Sequence, residues 1–209
     1  MVEMIKVVDK ERNVLGVKSR ESVHLDGDWH ETFQCWFIER VKNSYYIYLQ
    51  LRSASKKDFS LMYDITAAGH LLVGESEEDG VREIQEELGI QLSIGQLTFL
   101  DAIPNSIKLL NFIDNEISLV YVYEVKAPLK FNFVDEEVEG IVRMKLDDFE
   151  QLCNSEVNEV TVHCYEKGDF LNECITITLD QIVPHEYNYF KRVILKIKDY
   201  IVMTGNRIE

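Results

Sequence analysis

Three glutamates, Glu83, Glu86 and Glu87, stand at i, i+3 and i+4 in a segment of helical period, with Arg82 immediately before the first. On a helix those offsets share one face, so like charges crowd together at a cost in stability. A cation among them removes that cost. Magnesium prefers octahedral oxygen ligation, keeps several waters and commonly bridges carboxylates to substrate phosphates, so this face has the chemistry of a Mg2+ site, with Mn2+ as a substitute. Arg82, charged at any working pH, is placed to pair with a neighbouring carboxylate and hold its rotamer. A solvated acidic helix face is the ordinary meaning of a glutamate-rich run. The fixed spacing of the arginine, the three glutamates and Gly89 favours a site instead.

The elements that must position this face follow from the pattern around it. Ser76 and Asp79 have capping-box spacing, Val81, Ile84 and Leu88 form an apolar stripe, and Gly89 stands just beyond the last turn. Upstream, strands are predicted at 4–8 and 14–17, a hairpin at 32–39 and 45–51 about Lys42-Asn43-Ser44, and a further stretch at 63–67 leading into Gly69. Downstream, strands are predicted at 96–102, 117–125 and 138–145, then a short helix from Leu146 with an aspartate in its first turn. Residues 157–179 alternate in places as strands do. Residues 186–203 carry Tyr189, Phe190, Val193, Ile194, Ile197 and Ile201 at helical spacing. The fold class is α+β, with a main domain over 1–155 and an extension over 156–209 packed on it.

A chain of 209 residues, 46% apolar and 11% aromatic, can bury one sizeable core. Its formal net charge of −15 argues against a nucleic-acid partner, which needs clustered Lys and Arg. An acidic protein that handles an acidic phosphorylated substrate needs a bridging cation. No apolar run reaches the ~18 residues of a membrane span, and Glu3, Lys6 and Asp9 stand where a leader would be apolar, so a cytoplasmic protein without a membrane partner is expected. Cys35, Cys153, Cys164 and Cys174 are scattered without a CxxC pair, which suggests reduced, mostly core thiols.

The segment Arg82-Glu83-Ile84-Gln85-Glu86-Glu87-Leu88-Gly89-Ile90 resembles the second half of the Nudix box in full, and Gly69 and Glu75 match its first half. Six residues stand between Glu75 and Arg82 where the family has seven. The likeness extends to Val8-Asp9, Val14-Leu15-Gly16, Arg20, His24, Trp29-His30, the run from Leu49 to Ser53, Lys56 and Ala68-Gly69-His70, which are similar to the isopentenyl-diphosphate isomerase-like branch of Nudix proteins. In the true isomerases of that branch a cysteine stands two positions before the histidine of Cys-Gly-His, histidines upstream bind a metal, and the hydrolase box is degraded. This chain has Ala68 at the cysteine's place and keeps the box.

The resemblance implies an α/β/α sandwich with a mixed central sheet and a C-terminal helical extension. It also implies a metal-dependent hydrolase cleaving a diphosphate linkage in a nucleoside diphosphate-linked or related small organic diphosphate. By the same resemblance Glu86 and Glu87 are principal metal ligands, Glu83 a ligand or base, Arg82 an orienter, and the Gly69 carbonyl a further ligand. Glu116 is the candidate base from outside the box, while Arg52, Lys56 and His70 are assigned to substrate, with Lys57 a further candidate for phosphate. His24, His30 and His70 form either a second metal site or a pocket wall. Glu136, Glu137 and Glu139 read as surface charge. Two other readings remain: an isomerase-like enzyme, and a non-catalytic binding or regulatory module. A homodimer is compatible with all of these.

Overall fold

Side chains of period two run through the strand Trp29–Val41. Phe33, Cys35 and Phe37 enter one apolar cluster and Trp36 and Ile38 another, all with 0% exposure. A strand buried on both faces belongs in the middle of a layered sheet. The computed structural model describes residues 2–109, 112–133, 136–165 and 170–205. Its strands are β1 (Met4–Val8), β2 (Val14–Ser19), β3 (Trp29–Val41), β4 (Ser44–Arg52), β5 (Tyr63–Ile65), β6 (Ala67–His70), β7 (Thr98–Leu109), β8 (Phe112–Val125), β9 (Val138–Lys145), β10 (Glu159–Tyr165) and β11 (Phe170–Thr178). Its α-helices are α1 (Arg20–Asp26), α2 (Arg82–Leu88), α3 (Leu146–Cys153) and α4 (Tyr189–Gly205).

The mixed sheet is organised about β3. That strand runs parallel to β8 and antiparallel to β1, β4 and β6, and β9, β10 and β11 follow beyond β4. One face is covered by α2, whose Ile84 and Leu88 join Phe33 and Phe37. The other is covered by α3 and α4, whose Phe149, Tyr189 and Val193 join Trp36 and Ile38. The result is the α/β/α sandwich. Residues beyond 155 contribute β10 and β11 to the sheet through β9, and α4 packs on β7 and α3. Among the described residues no helix is long and apolar enough to cross a membrane.

The differences from expectation have local causes. Helix α1 is seven residues, too short to show a periodic stripe; Ser19 caps it by accepting from Ser22 N–H and Gly27 ends it at φ 71°. Strand β7 continues past Ala102 through Pro104, because among the described residues it pairs with β8 alone and an edge strand tolerates a missing donor. The stretch 63–67 divides into β5 and β6, which pair with different neighbours. The Ser76/Asp79 capping box is present, but it caps a 3-10 turn over Glu77–Val81, and the α-helical part begins only at Arg82.

Gly89 closes α2 at φ 67°, and a Cβ there would lie 2.5 Å from the Asn132 carbonyl oxygen. Gly89→Ala therefore combines left-handed strain with a backbone clash, and is expected to lower stability by about 1–3 kcal/mol. Urea unfolding checks this; an unchanged midpoint would show that the α2 terminus can move away freely.

Candidate active site

Seating Ile84 and Leu88 in the core turns Glu83 and Glu87 beneath β6 and leaves Glu86 on the outside. Glu87 is 5% exposed, and its Oε2 accepts from Ala68 N–H at 3.0 Å and Gln50 Nε2 at 3.3 Å. Glu83 lies so close under Gly69 that a Cβ at 69 would sit 2.1 Å from its carboxyl carbon. Only glycine allows that approach. The Glu86 side chain is 56% exposed.

Arg82 ties the acidic groups together. Nε and Nη2 grip Glu75 at 2.7 and 3.1 Å, Nη1 reaches Glu83 at 2.7 Å and Glu86 at 2.8 Å, and Nη2 also donates to the His70 carbonyl at 3.1 Å. Glu75 reaches Arg82 despite the shortened spacing. The turn between them is 3-10, which rises about 2.0 Å per residue against about 1.5 Å in an α-helix, and so covers the distance with fewer residues.

Burial pushes Glu83 up to about 7, against the opposing pull of Arg82 and with further push from Glu86. It pushes Glu87 up to about 8, assisted by Glu83 and opposed by the Ala68 N–H. Gln50 Oε1, buried beside Glu87, has no hydrogen-bond partner among the described residues. Crowded oxygen donors, a glycine-only approach and an unpartnered buried oxygen suit a hard divalent cation.

A second cluster lies next to the first. His24 on α1, His30 on β3 and His70 at the end of β6 bring ring nitrogens within 4.8 Å of one another. Asp114 Oδ1 is 3.5 Å from His24 Nε2 and 3.3 Å from His30 Nε2. His30 Nε2 and Asp114 Oδ1 are both buried, and among the described residues neither has a hydrogen-bond partner within geometric limits. Burial lowers His24 to about 4 and holds His70 well below its ordinary value, leaving neutral imidazoles. Burial opposes charge on His30 too, but Asp114 outweighs it and the pKa lies above the ordinary value. Neutral imidazoles with a carboxylate can hold a transition metal.

Glu116 follows Asp114 by two residues on β8, so both project from one face. The parallel register sets His30 opposite Glu116, and these two with Asp114 form a further group within 4.8 Å. Glu116 Oε2 accepts from Gln34 Nε2 at 3.1 Å, and from Asn105 Nδ2 and Ser118 Oγ at 3.4 Å. Burial pushes its pKa up to about 7, reinforced by Asp114 and opposed by His30 and His185.

Of these groups Glu83, Glu86, Glu87, His70, Asp114 and Glu116 line one cleft of about 600 Å³, together with Arg52 and Lys56, while His24 and His30 stay outside its lining. Neither cation is free: Arg52 donates to Asp64 Oδ2 and to the Asp58 carbonyl, both at 3.1 Å, and Lys56 pairs with Glu137. Lys57 is exposed and stays outside the lining. Glu137, expected as surface charge, lines the cleft as the partner of Lys56, whereas Glu136 and Glu139 are exposed. Sequence reasoning passed over Asp64, Asp114 and His185. Asp114 had a signal in its spacing from Glu116; Asp64 and His185 reach the cleft only through tertiary packing.

No family model matches the chain. A Nudix hydrolase of Clostridium acetobutylicum, itself uncharacterized, is 32% identical over 201 residues, spanning 94% of this chain and 98% of that protein. Nudix hydrolase 3 of Arabidopsis thaliana is 30% identical over 164 residues, 74% of this chain but 21% of that longer protein. An isopentenyl-diphosphate Delta-isomerase of Serratia proteamaculans is 29% identical over 126 residues, 58% of this chain and 66% of that one. A crystal structure from Deinococcus radiodurans shares the fold, with a TM-score of 0.53 at 19% identity over 70% of this chain and 86% of its own.

Raised carboxyl pKa values have a definite consequence for stability. Between the ordinary value of 4.5 and about 8 at Glu87, the folded protein binds more protons than the unfolded chain, so stability falls as pH rises through that window. His24, lowered from 6.5 to about 4, acts in the opposite sense over its own range. In chelator, the melting temperature of Glu87→Gln should therefore decline less than that of the parent between pH 5 and 8. Equal slopes in the two proteins would show that Glu87 ionises normally in the fold.

Proposed function

The chain belongs to the Nudix hydrolase family, and we propose that it hydrolyses a diphosphate linkage in a nucleoside diphosphate-linked or related small organic diphosphate, with a divalent cation, Mg2+ or Mn2+, as cofactor. The carboxylate face of α2 beneath Gly69, opening into a cleft with Arg52 and Lys56, carries this reading. Glu83, Glu86, Glu87 and the Gly69 carbonyl would hold the cation. When bound, it supplies Lewis-acid polarisation of a phosphoryl oxygen.

The chain's own groups do the rest. Arg82 keeps Glu75, Glu83 and Glu86 in register through four hydrogen bonds. Glu116, with a pKa near 7, is suited to take the proton of a water attacking phosphorus as the bridging P–O bond breaks. Arg52 and Lys56 meet the phosphates, and His70 fixes Arg82 through its carbonyl. His24, His30 and His70 with Asp114 would hold a second, softer cation. The formal charge of −15 supports small molecules rather than nucleic acid as partners.

The isomerase relative and the histidine cluster favour a second reading, allylic isomerisation. That reaction needs an acid and a base on either side of the reacting carbon, and Ala68 supplies neither.

A panel of nucleotide sugars, dinucleotides, prenyl diphosphates and nucleoside triphosphates, with the phosphomonoester, phosphate and pyrophosphate products separated by ion-exchange chromatography, tests the proposal. At least one class should be cleaved in Mg2+ or Mn2+ and none in chelator. Glu87→Gln should lower kcat by orders of magnitude with a melting temperature no lower than the parent's, and Glu116→Gln should lower kcat by about 10²- to 10⁴-fold. Silence across the panel in either metal would end the hydrolase reading. Isopentenyl diphosphate should yield no dimethylallyl diphosphate, and enzyme-like formation of that product would establish isomerisation instead.

A further inference from the structure

The segment leading into α4 is pinned beside β5. Val183 N–H donates to the Tyr63 carbonyl at 2.9 Å, and Ile182 bridges Tyr63 in parallel. His185 follows, its side chain 5% exposed. Its ring stacks on Tyr189 at 4.8 Å and meets Phe190 edge-on at 5.0 Å, so packing sets the ring plane. Nε2 lies 2.9 Å from Asp64 Oδ1 and Nδ1 lies 2.9 Å from Asn105 Nδ2. Glu186 N–H donates to Asn105 Oδ1 at 3.1 Å, which turns the amide NH2 toward the ring and makes Nδ1 the acceptor. The ring proton then stands on Nε2 and is donated to Asp64.

Each partner leads on to a cleft residue. Asp64 Oδ2 accepts from Arg52 Nη1 at 3.1 Å. Asn105 Nδ2 also reaches Glu116 Oε2 at 3.4 Å, and Gln34, the other amide on that oxygen, accepts at Oε1 from the Tyr189 hydroxyl. One short segment thus holds both ends of the cleft.

We infer that His185 is a positioning residue for diphosphate hydrolysis: through Asp64 it fixes the guanidinium of Arg52, and through Asn105 it fixes the carboxylate of Glu116. The inference rests on the roles proposed above for Arg52 and Glu116. It makes the segment before α4 a working part of the active site.

Two substitutions separate the two bonds, because a glutamine amide places a donor near the Nε2 position and an asparagine carbonyl places an acceptor near Nδ1. His185→Gln keeps the bond to Asp64 and loses the one to Asn105, so kcat should fall about tenfold with KM within about twofold. His185→Asn keeps the bond to Asn105 and frees Asp64, so KM should rise about fivefold with a smaller change in kcat. Binding of methylenediphosphonate in Mg2+ should weaken about fivefold in His185→Asn alone. If both variants lose kcat and KM together, in step with melting temperature, or if neither changes, His185 is merely structural. Should the variants fail to fold, imidazole 15N NMR of the parent protein decides: a proton on Nε2 supports the relay and one on Nδ1 overturns it. A parent protein inert toward every diphosphate overturns the hydrolase reading together with this role, whereas an active parent whose variants do not split overturns this role alone.

Discussion

The structure turns on the burial of two carboxyl groups that the core itself forces inward. Ile84 and Leu88 must enter the apolar layer, and at helical pitch that choice carries Glu83 and Glu87 under β6. Desolvation then penalises their charged forms, and their mutual proximity adds to the penalty. The surrounding design responds to that penalty. Gly69 lets the backbone come down onto Glu83, Ala68 and Gln50 donate to Glu87, and Arg82 spans the outer acids. None of these donors neutralises Glu87 outright, because an N–H supplies only a partial charge. A site in which protein donors stop short of neutrality is one that a metal ion can complete.

The parallel pairing of β3 with β8 is the second constraint. It sets Trp29 beside Asn115 and His30 beside Glu116, residues remote in sequence, and the cleft exists because that register holds. Helix α1 then needs only seven capped residues to deliver His24, and β6 needs only antiparallel contact with β3 to deliver His70. Oxygen donors gather on the α2 side and imidazoles on the α1 side, with Gly69 and His70 adjacent at the junction. Two cations of different softness are compatible with that division of donors.

Local pattern made the carboxylate helix, the 32–51 hairpin, β9 and α3 legible in the sequence, because each is specified by residues close together in the chain. The capping box and the closing glycine are local statements and appear in the fold, the box on a 3-10 turn, whereas the i, i+3, i+4 glutamates divide, with Glu87 buried and Glu86 outside. What escaped was non-local or too short. Helix α1 has too few residues to repeat a stripe, and β7 runs through a proline that only its edge position permits. Glu137 reads as one of several surface acids until tertiary packing sets it against Lys56. His185 carries no spacing signal, since its partners Asp64 and Asn105 come from strands that meet it only in three dimensions.

Charge balance in the cleft decides how an anionic ligand can enter. Carboxyl groups outnumber cationic side chains in its lining, and the cations are largely spoken for: Arg52 by Asp64, Lys56 by Glu137, Arg82 by Glu75, Glu83 and Glu86. An isolated diphosphate would therefore meet a field of its own sign, reinforced by a protein of net charge −15. Attraction has to come from added positive charge, and among the described residues the acids beneath Gly69 and the His24/His30/His70 and His30/Asp114/Glu116 groups are places that could take it. A metal and an anionic ligand bound there would be linked, each raising the affinity for the other by the same factor. Glu137 and Asp64 meanwhile hold Lys56 and Arg52 in position. The acidic partners that weaken electrostatic capture also order Arg52 and Lys56, so the cleft offers an anion preformed geometry more than long-range steering.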